Sequence, residues 1–325
     1  MKLRQYQLDL VQQARDAIRA GHKRIVIQMG TGGGKCLGKG TPVILYDGSV
    51  VPVDDVAVGD LLMGPDSTPR RVVSLARGQE MLYRVTPKKG DSYVVNESHI
   101  LSLKMTPDGR HPGKNIVNLT VRDYLASSKS FKHKAKGWRV GVDFAPTDNS
   151  LPIPPYMFGL WLGDGHSTHY AITTGDIEVA ESVCEYAHSL GKSIRCVSNS
   201  AGSVVLHVKR RSAGAGDKSM TSVLRDLGVV NNKHIPHCYL TASREDRMQL
   251  LAGILDSDGY YSGKGYDVTF KSEKLMDGLL FLARSLGFAV NKRFVRKVCT
   301  NNGKAGWYYN TSINGDLPSI PCRLA

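Results

Sequence analysis

Acidic residues are in short supply, with 29 Asp and Glu against 43 Lys and Arg and a formal net charge of +14. Such an imbalance disfavours a basic partner and favours a polyanion, above all because the cations cluster. Clusters lie at Lys129, Lys132, Lys134 and Lys136, at "KRR" (209–211) and at "NKRFVRK" (291–297). The six cysteines are scattered without a CxxC pair. That excludes the usual zinc spacings and argues against a disulfide framework. "HIPHC" (234–238) has no second ligand pair nearby and reads as a surface loop. No run of about 18 apolar residues is present to span a bilayer. The opening "MKLRQYQLDL" has neither the apolar core nor the cleavage site of a signal peptide, so a cytoplasmic protein is expected. At 325 residues there is room for two or three domains with cores of their own.

What is there begins as one protein and continues as another. Residues 3–20 carry helical periodicity, Gly21 is a natural stop, and "KRIVIQM" (23–29) reads as a buried strand. Strand followed by "GTGGGK" (30–35) is the setting of a phosphate-binding loop, in which Gly32, Gly34 and Lys35 would cradle the phosphates of ATP. These 35 residues resemble the opening of a superfamily 2 helicase. The hydroxyl that should follow the lysine and hold Mg²⁺ is replaced by Cys36, a soft ligand for a hard ion. Beyond it, "LGKGTPVILYDGSVVPVDDVAVGDLL" promises short strands and turns, not a helix. An insertion after Lys35 explains the change, and ATP then belongs to the reassembled host alone.

From Cys36 the chain resembles the N-terminal part of an intein, a self-excising element with a β-rich Hint fold. The resemblance is carried by "CLGKGTPV", by "GSVVPVDDVAVGDLL", by "RRVVSLARGQEMLYRV" and by "VVNESHILSL" (94–103). In the last, His99 is retained and Asn96 stands where the family has Thr. The resemblance implies that Cys36 attacks the carbonyl of Lys35 to form a thioester. His99 would then protonate the leaving nitrogen, and Asn96 would polarise the peptide. Splicing also needs a C-terminal His-Asn pair. The tail "NGDLPSIPCRLA" has none, so either a truncated chain or a C-terminal intein fragment supplied in trans is expected.

"MFGLWLGDG" (157–165) and "LAGILDSDG" (251–259) form an internal repeat. Gly159 and Gly163 are four apart, as are Gly253 and Ser257, so each pair shares one helix face and allows two backbones to approach closely. Asp164 and Asp258 fall at the C-terminal foot of each helix, where the helix dipole disfavours a carboxylate and a cation is wanted. Both segments resemble the LAGLIDADG homing endonucleases, and the likeness runs through about residues 152–322. It implies a pseudo-dimer of two αββαββα halves on one monomeric chain, with two antiparallel sheets straddling double-stranded DNA. It further implies that Asp164 and Asp258 hold Mg²⁺ for phosphodiester hydrolysis. Lys233, in "NNKHIPHCYL", matches the family's assisting lysine.

The expected organisation is therefore multidomain. A helix–strand host piece (1–35) precedes a β-rich Hint part with a linker or accessory region (36–150) and an α+β endonuclease (151–325, repeats about 152–240 and 245–322). The expected function is site-specific double-strand DNA cleavage, with splicing chemistry at Cys36. Two alternatives stand beside it: a DNA-binding relic that has lost cutting, and an ATP-dependent helicase fragment, which lacks the rest of an ATPase.

Overall fold

The computed structural model describes residues 12, 15, 16, 18–21, 36–87, 90–107, 116–145, 150–198, 202–209, 218–298, 303 and 305–324. Of the host piece, residues 12, 15, 16, 18 and 19 are helical, and Gly21 follows with φ +85°, a left-handed value suited to a glycine stop. The expected strand 23–29 and the loop residues Gly32, Gly34 and Lys35 lie outside the described residues.

From Cys36 the chain is a run of short antiparallel pairs. β1 (Pro42–Ile44) pairs with β2 (Val50–Pro52), β3 (Leu61–Met63) with β4 (Pro69–Arg71), and β5 (Leu82–Val85) with β6 (Tyr93–Asn96). β7 (Ile100–Met105) lies between β8 (Ile116–Thr120) and β9 (Ala135–Lys136). The "YDGS" turn closes the first pair. Asp47 accepts from Ser49 N–H at 2.9 Å, and Gly48 sits at φ +84°, where a side chain would be strained. Helices α1 (Val121–Ala126) and α2 (Lys129–Lys134) start at Thr120 and Ser128, whose hydroxyls cap them. Val95, Leu101, Leu103, Val121 and Ala135 form the small core of this part.

The second part is built on two packed helices, α3 (Pro155–Asp164) and α7 (Arg244–Asp258). Pro155 starts α3 at the position where a missing N–H costs nothing. Ser243 caps α7, with Glu245 and Asp246 in its first turn. After α3 come β10 (Ala171–Thr174), α4 (Ile177–Ser189), β11 (Ser193–Ser198), β12 (Val204–Lys209) and α5 (Met220–Asp226). A single turn, α6 (His237–Leu240), leads into α7. After α7 come β13 (Gly259–Tyr261), β14 (Tyr266–Phe270), α8 (Glu273–Ser285), β15 (Arg293–Val298) and β16 (Ala305–Ile313).

The second sheet runs β13-β14-β16-β15. The first runs β10-β12-β11, with its outer strand reduced to one bridge between Gly165 and Ile172. The two halves therefore share an order, and they depart from a strict αββαββα repeat at two places. The first strand of the first half is that single bridge, and the closing helix of the second half is a 3-10 turn at Leu317–Ser319. One buried cluster unites both halves, from Ile153 and Phe158 through Leu250 to Leu279 and Ile313.

The basic stretch 129–144 forms α2, β9 and a connecting segment docked on α7 and α8. Val142 N–H donates to Ser285 O at 2.8 Å. Arg247, fully buried, donates to Ala242 O, Ser285 Oγ and Val142 O at 3.0, 2.6 and 2.8 Å, and lies 4.8 Å from the Phe144 ring centroid. Burial holds its pKa down to about 10. Replacing Arg247 with Ala strands these acceptors, so a loss of about 3 kcal/mol is expected in urea denaturation. A change within about 0.5 kcal/mol would show that the clamp contributes nothing to stability.

Candidate functional site

The site lies where α3 and α7 end side by side. A Cβ placed on Gly159 would overlap Leu250 O and stand 2.9 Å from Ile254 N. One on Gly253 would overlap Tyr156 O and stand 3.0 Å from Leu160 N. At the next turn Gly163 faces Ser257, whose hydroxyl is satisfied by Gly253 O at 2.8 Å. The two helices therefore touch backbone to backbone, and this closeness sets their last residues together. A Cβ on Gly163 would stand 3.3 Å from Asp258 Oδ2, and Asp164 is the next residue.

Gly165 and Gly259 follow the aspartates, but they do not stop the helices in the left-handed region. Their φ values are −77° and −85°. Glycine is required there because a Cβ would overlap Trp161 O in one helix and Leu255 O in the other.

Asp164 and Asp258 are exposed on their outer side, with packed protein beneath. Crowding by that protein and then repulsion from Asp258 push Asp164 up to about 7, against the pull of Lys233. Burial also raises Asp258, again against Lys233. Lys233 donates to Leu162 O and Gly163 O at 3.0 Å and to Gly165 O at 2.7 Å, with Nζ 5.1 Å from the Trp161 ring centroid. It thus caps the C-terminus of α3, and burial lowers its pKa to about 8 although both aspartates favour its charge. Trp161, which the sequence did not single out, is fixed by its own N–H, shared between His166 O and His169 O.

The donor set suits a hard divalent ion. Two crowded carboxylates repel one another, and a cation between them relieves that repulsion. Among the described residues no group of three His, Cys, Asp or Glu side chains is placed to hold a metal. Such a centre would be completed by water and substrate oxygen, the coordination Mg²⁺ prefers.

Strand alternation puts apolar residues against the helices and polar ones opposite. Val268 and Phe270 are buried, while Asp267 and Thr269 face a cleft of about 520 Å³ that reaches from Asp258 to Arg293 and Lys297. Arg293 is held by Asn310 Oδ1 at 2.8 Å, and Lys297 by Thr269 Oγ1 at 2.8 Å. In the first sheet Leu206 is buried and His207 pairs with Arg195. His166, His169 and His207 gather there with ring centroids 5.0–6.0 Å apart.

The Cys36 end is a separate place. Residues 36–38 run antiparallel to β6, with a bridge between Leu37 and Val95 and Gly38 N–H donating to Val94 O at 2.7 Å. Asn96 is fully buried. Its Oδ1 accepts from Cys36 N–H at 3.2 Å, and its backbone N–H donates to Cys36 O at 3.1 Å. His99 is one turn on, its N–H donating to Asn96 O at 3.2 Å.

Two family models match the chain: the homing-endonuclease-associated Hint domain over residues 36–135 and the homing endonuclease domain over residues 234–317. The chain is 28% identical over 292 residues to the replicative DNA helicase DnaB of Mycobacterium intracellulare, covering 81% of this chain and 44% of that protein. It is 26% identical over 250 residues to the homothallic switching endonuclease of Saccharomyces cerevisiae, covering 62% of this chain and 43% of that one. It thus spans less than half of either relative. Among solved structures, I-DmoI in complex with DNA and Mn is 14% identical, with a TM-score of 0.32 over 50% of this chain and 88% of that one. No helix among the described residues is long and apolar enough to cross a membrane. Residues 36–135 thus belong to the homing-endonuclease-associated Hint family and residues 234–317 to the homing endonuclease family.

Proposed function

We propose that the chain cuts both strands of a specific DNA site, acting as a monomer, with Asp164 and Asp258 as the ligands of a divalent cation, Mg²⁺ by preference. The observation that carries this reading is the pair of crowded carboxylates at the feet of two helices in backbone contact, opening on a cleft with Arg293 and Lys297. A cation held there would offset charge at the scissile phosphate and lower the pKa of an attacking water. Asp164 and Asp258 would hold it. Lys233, anchored on three carbonyls, keeps a positive charge beside both acids below about pH 8. Arg293 and Lys297 meet phosphates.

The test is a plasmid carrying the uninterrupted host gene, incubated with the protein and Mg²⁺. A linear product from that plasmid, and none from one without the site, is expected. DNA binding without cutting would favour the relic instead. Binding should weaken with salt by about 0.9 log units per log unit for each phosphate neutralised. Lys297→Ala should reduce that slope by about 1 in a fluorescence-anisotropy titration across salt concentrations. An unchanged slope would remove Lys297 from the phosphate-binding surface.

A second reading has its own observation, the contact of Asn96 Oδ1 with the amide of Cys36. It is thioester formation at Cys36, with His99 as proton donor to the departing nitrogen. An external thiol or hydroxylamine should release residues 1–35 from the full chain, and Cys36→Ala should release none. The exposure of Val73, Leu75 and Met81 in the stretch before β5 supports packing of a complementing C-terminal intein segment there. Restored ATP binding through Gly32, Gly34 and Lys35 belongs to the host after splicing.

A further inference from the structure

We infer that Glu80 is a positioning residue for the acyl shift at Cys36, acting through Asn96; the inference rests on the thioester reading above. Asn96 Nδ2 donates to Glu80 Oε2 at 2.6 Å, a short bond assisted by the carboxylate charge. Glu80 reaches it because β5 pairs its first residue, Leu82, with Asn96, which brings the chain two residues earlier alongside the Asn96 side chain.

An asparagine amide has two nearly isosteric ends, one accepting and one donating. Which end meets the Cys36 amide decides whether Asn96 helps or hinders. With oxygen toward Cys36, the amide N–H is held by an acceptor. With nitrogen toward it, two donors would face each other inside a buried site. A carboxylate only accepts, so Glu80 fixes the Asn96 nitrogen on its own side and sends the oxygen to the peptide. Thr, the family's residue at this place, has a single rotatable hydroxyl and needs no such partner.

The chemistry served is an isomerisation. The Cys36 sulfur forms a bond to the Lys35 carbonyl carbon as the carbon–nitrogen bond breaks. The thiol proton is taken up and one proton is delivered to the Cys36 nitrogen, which becomes a free amine. No oxidant, reductant or co-reactant is required. A nitrogen whose N–H is held by Asn96 Oδ1 carries more electron density and accepts that proton more readily.

The experiment uses the full chain with excess dithiothreitol or hydroxylamine near neutral pH, following release of residues 1–35 by mass spectrometry. Four proteins are compared with the unaltered one: Glu80→Gln, Glu80→Leu, Glu80→Lys and Cys36→Ala. Gln keeps an acceptor oxygen but also offers a donor, so a loss of a few-fold is expected. Leu, of similar bulk, should lose about tenfold, roughly the worth of one charge-assisted hydrogen bond. Lys only donates, so it draws the Asn96 oxygen away and should fall below Leu. The Asn96 side-chain amide protons should also shift upfield in Glu80→Leu, in spectra of protein labelled at asparagine.

Equal release by all three Glu80 variants, or a rank that follows size, overturns the role of Glu80 while leaving the thioester reading intact. No release from the unaltered chain, or equal release from Cys36→Ala, removes the thioester reading and this inference with it.

Discussion

Asp164→Asn and Asp258→Asn should each lower double-strand cleavage by roughly a thousandfold or more, about 4 kcal/mol of barrier, while DNA affinity in Ca²⁺ stays near that of the unaltered protein. Asparagine has almost the same shape, so packing is retained and only charge is lost. The pH dependence follows from the same pair. Asp164, pushed up to about 7, must lose its proton before it can hold a cation. Cleavage at fixed, subsaturating Mg²⁺ should therefore rise through about pH 7. Lys233 loses its charge near pH 8, which places the upper limit of the profile there.

Stability carries the opposite sign. A carboxyl with a raised folded pKa binds more protons folded than unfolded between its ordinary value and about 7. The stability it contributes is present in acid and lost as the pH rises through about 7. Without metal, Asp164→Asn should thus melt higher than the unaltered protein at pH 8, and the two should converge near pH 4. Mg²⁺ should raise the melting temperature of the unaltered protein more than that of the variant. Full cleavage by either asparagine variant, or identical melting curves at pH 8, would remove these two acids from the metal site.

Much of this arrangement was legible in the chain because it is written in local, repeated signals. Glycine spacing in the two nine-residue segments fixed which helix faces meet, and Asp-Gly at each end fixed where the acids stand. Helices α4 and α8 carry apolar residues at helical spacing, a local signal, and Gly287 just after α8 has φ +95°, the left-handed value of a glycine stop. Before α4, Thr173 and Thr174 end β10, and Thr174 Oγ1 accepts from Asp176 N–H at 3.1 Å. What escaped depends on pairing between distant strands. β16, the longest strand among the described residues, carries Asn310 and has no local signature, since its register comes from β14 and β15 on either side. Nothing local in the sequence marks Arg247 for burial, which comes from the chain returning at Val142 and Phe144. Glu80 is likewise defined by the pairing of Leu82 with Asn96, sixteen residues from its partner in the chain. Lys233 was placed by motif, but its three carbonyl acceptors belong to the end of a helix about 70 residues earlier.

The largest structural effect is expected at Gly253. Its missing Cβ is what lets α7 reach the backbone of α3, where Tyr156 O and Leu160 N occupy the space. Because these are backbone atoms on a helix, neither can rotate away as a side chain would. Gly253→Val must therefore push the helices apart, at a cost of about 3 kcal/mol or more. For a domain of this size that lowers the melting temperature by roughly 6–12 °C. The same separation pulls Asp164 from Asp258, so Mg²⁺ affinity and cleavage should fall even in the fraction that remains folded. Gly175→Ala is the matched control: a Cβ there meets nothing within 4 Å, and its φ is not left-handed, so a change within about 0.5 kcal/mol is expected. Circular-dichroism melting of both variants separates the outcomes. Equal melting of Gly253→Val and Gly175→Ala would mean that the helices are not held in backbone contact, and the placing of the two acids would lose its physical basis.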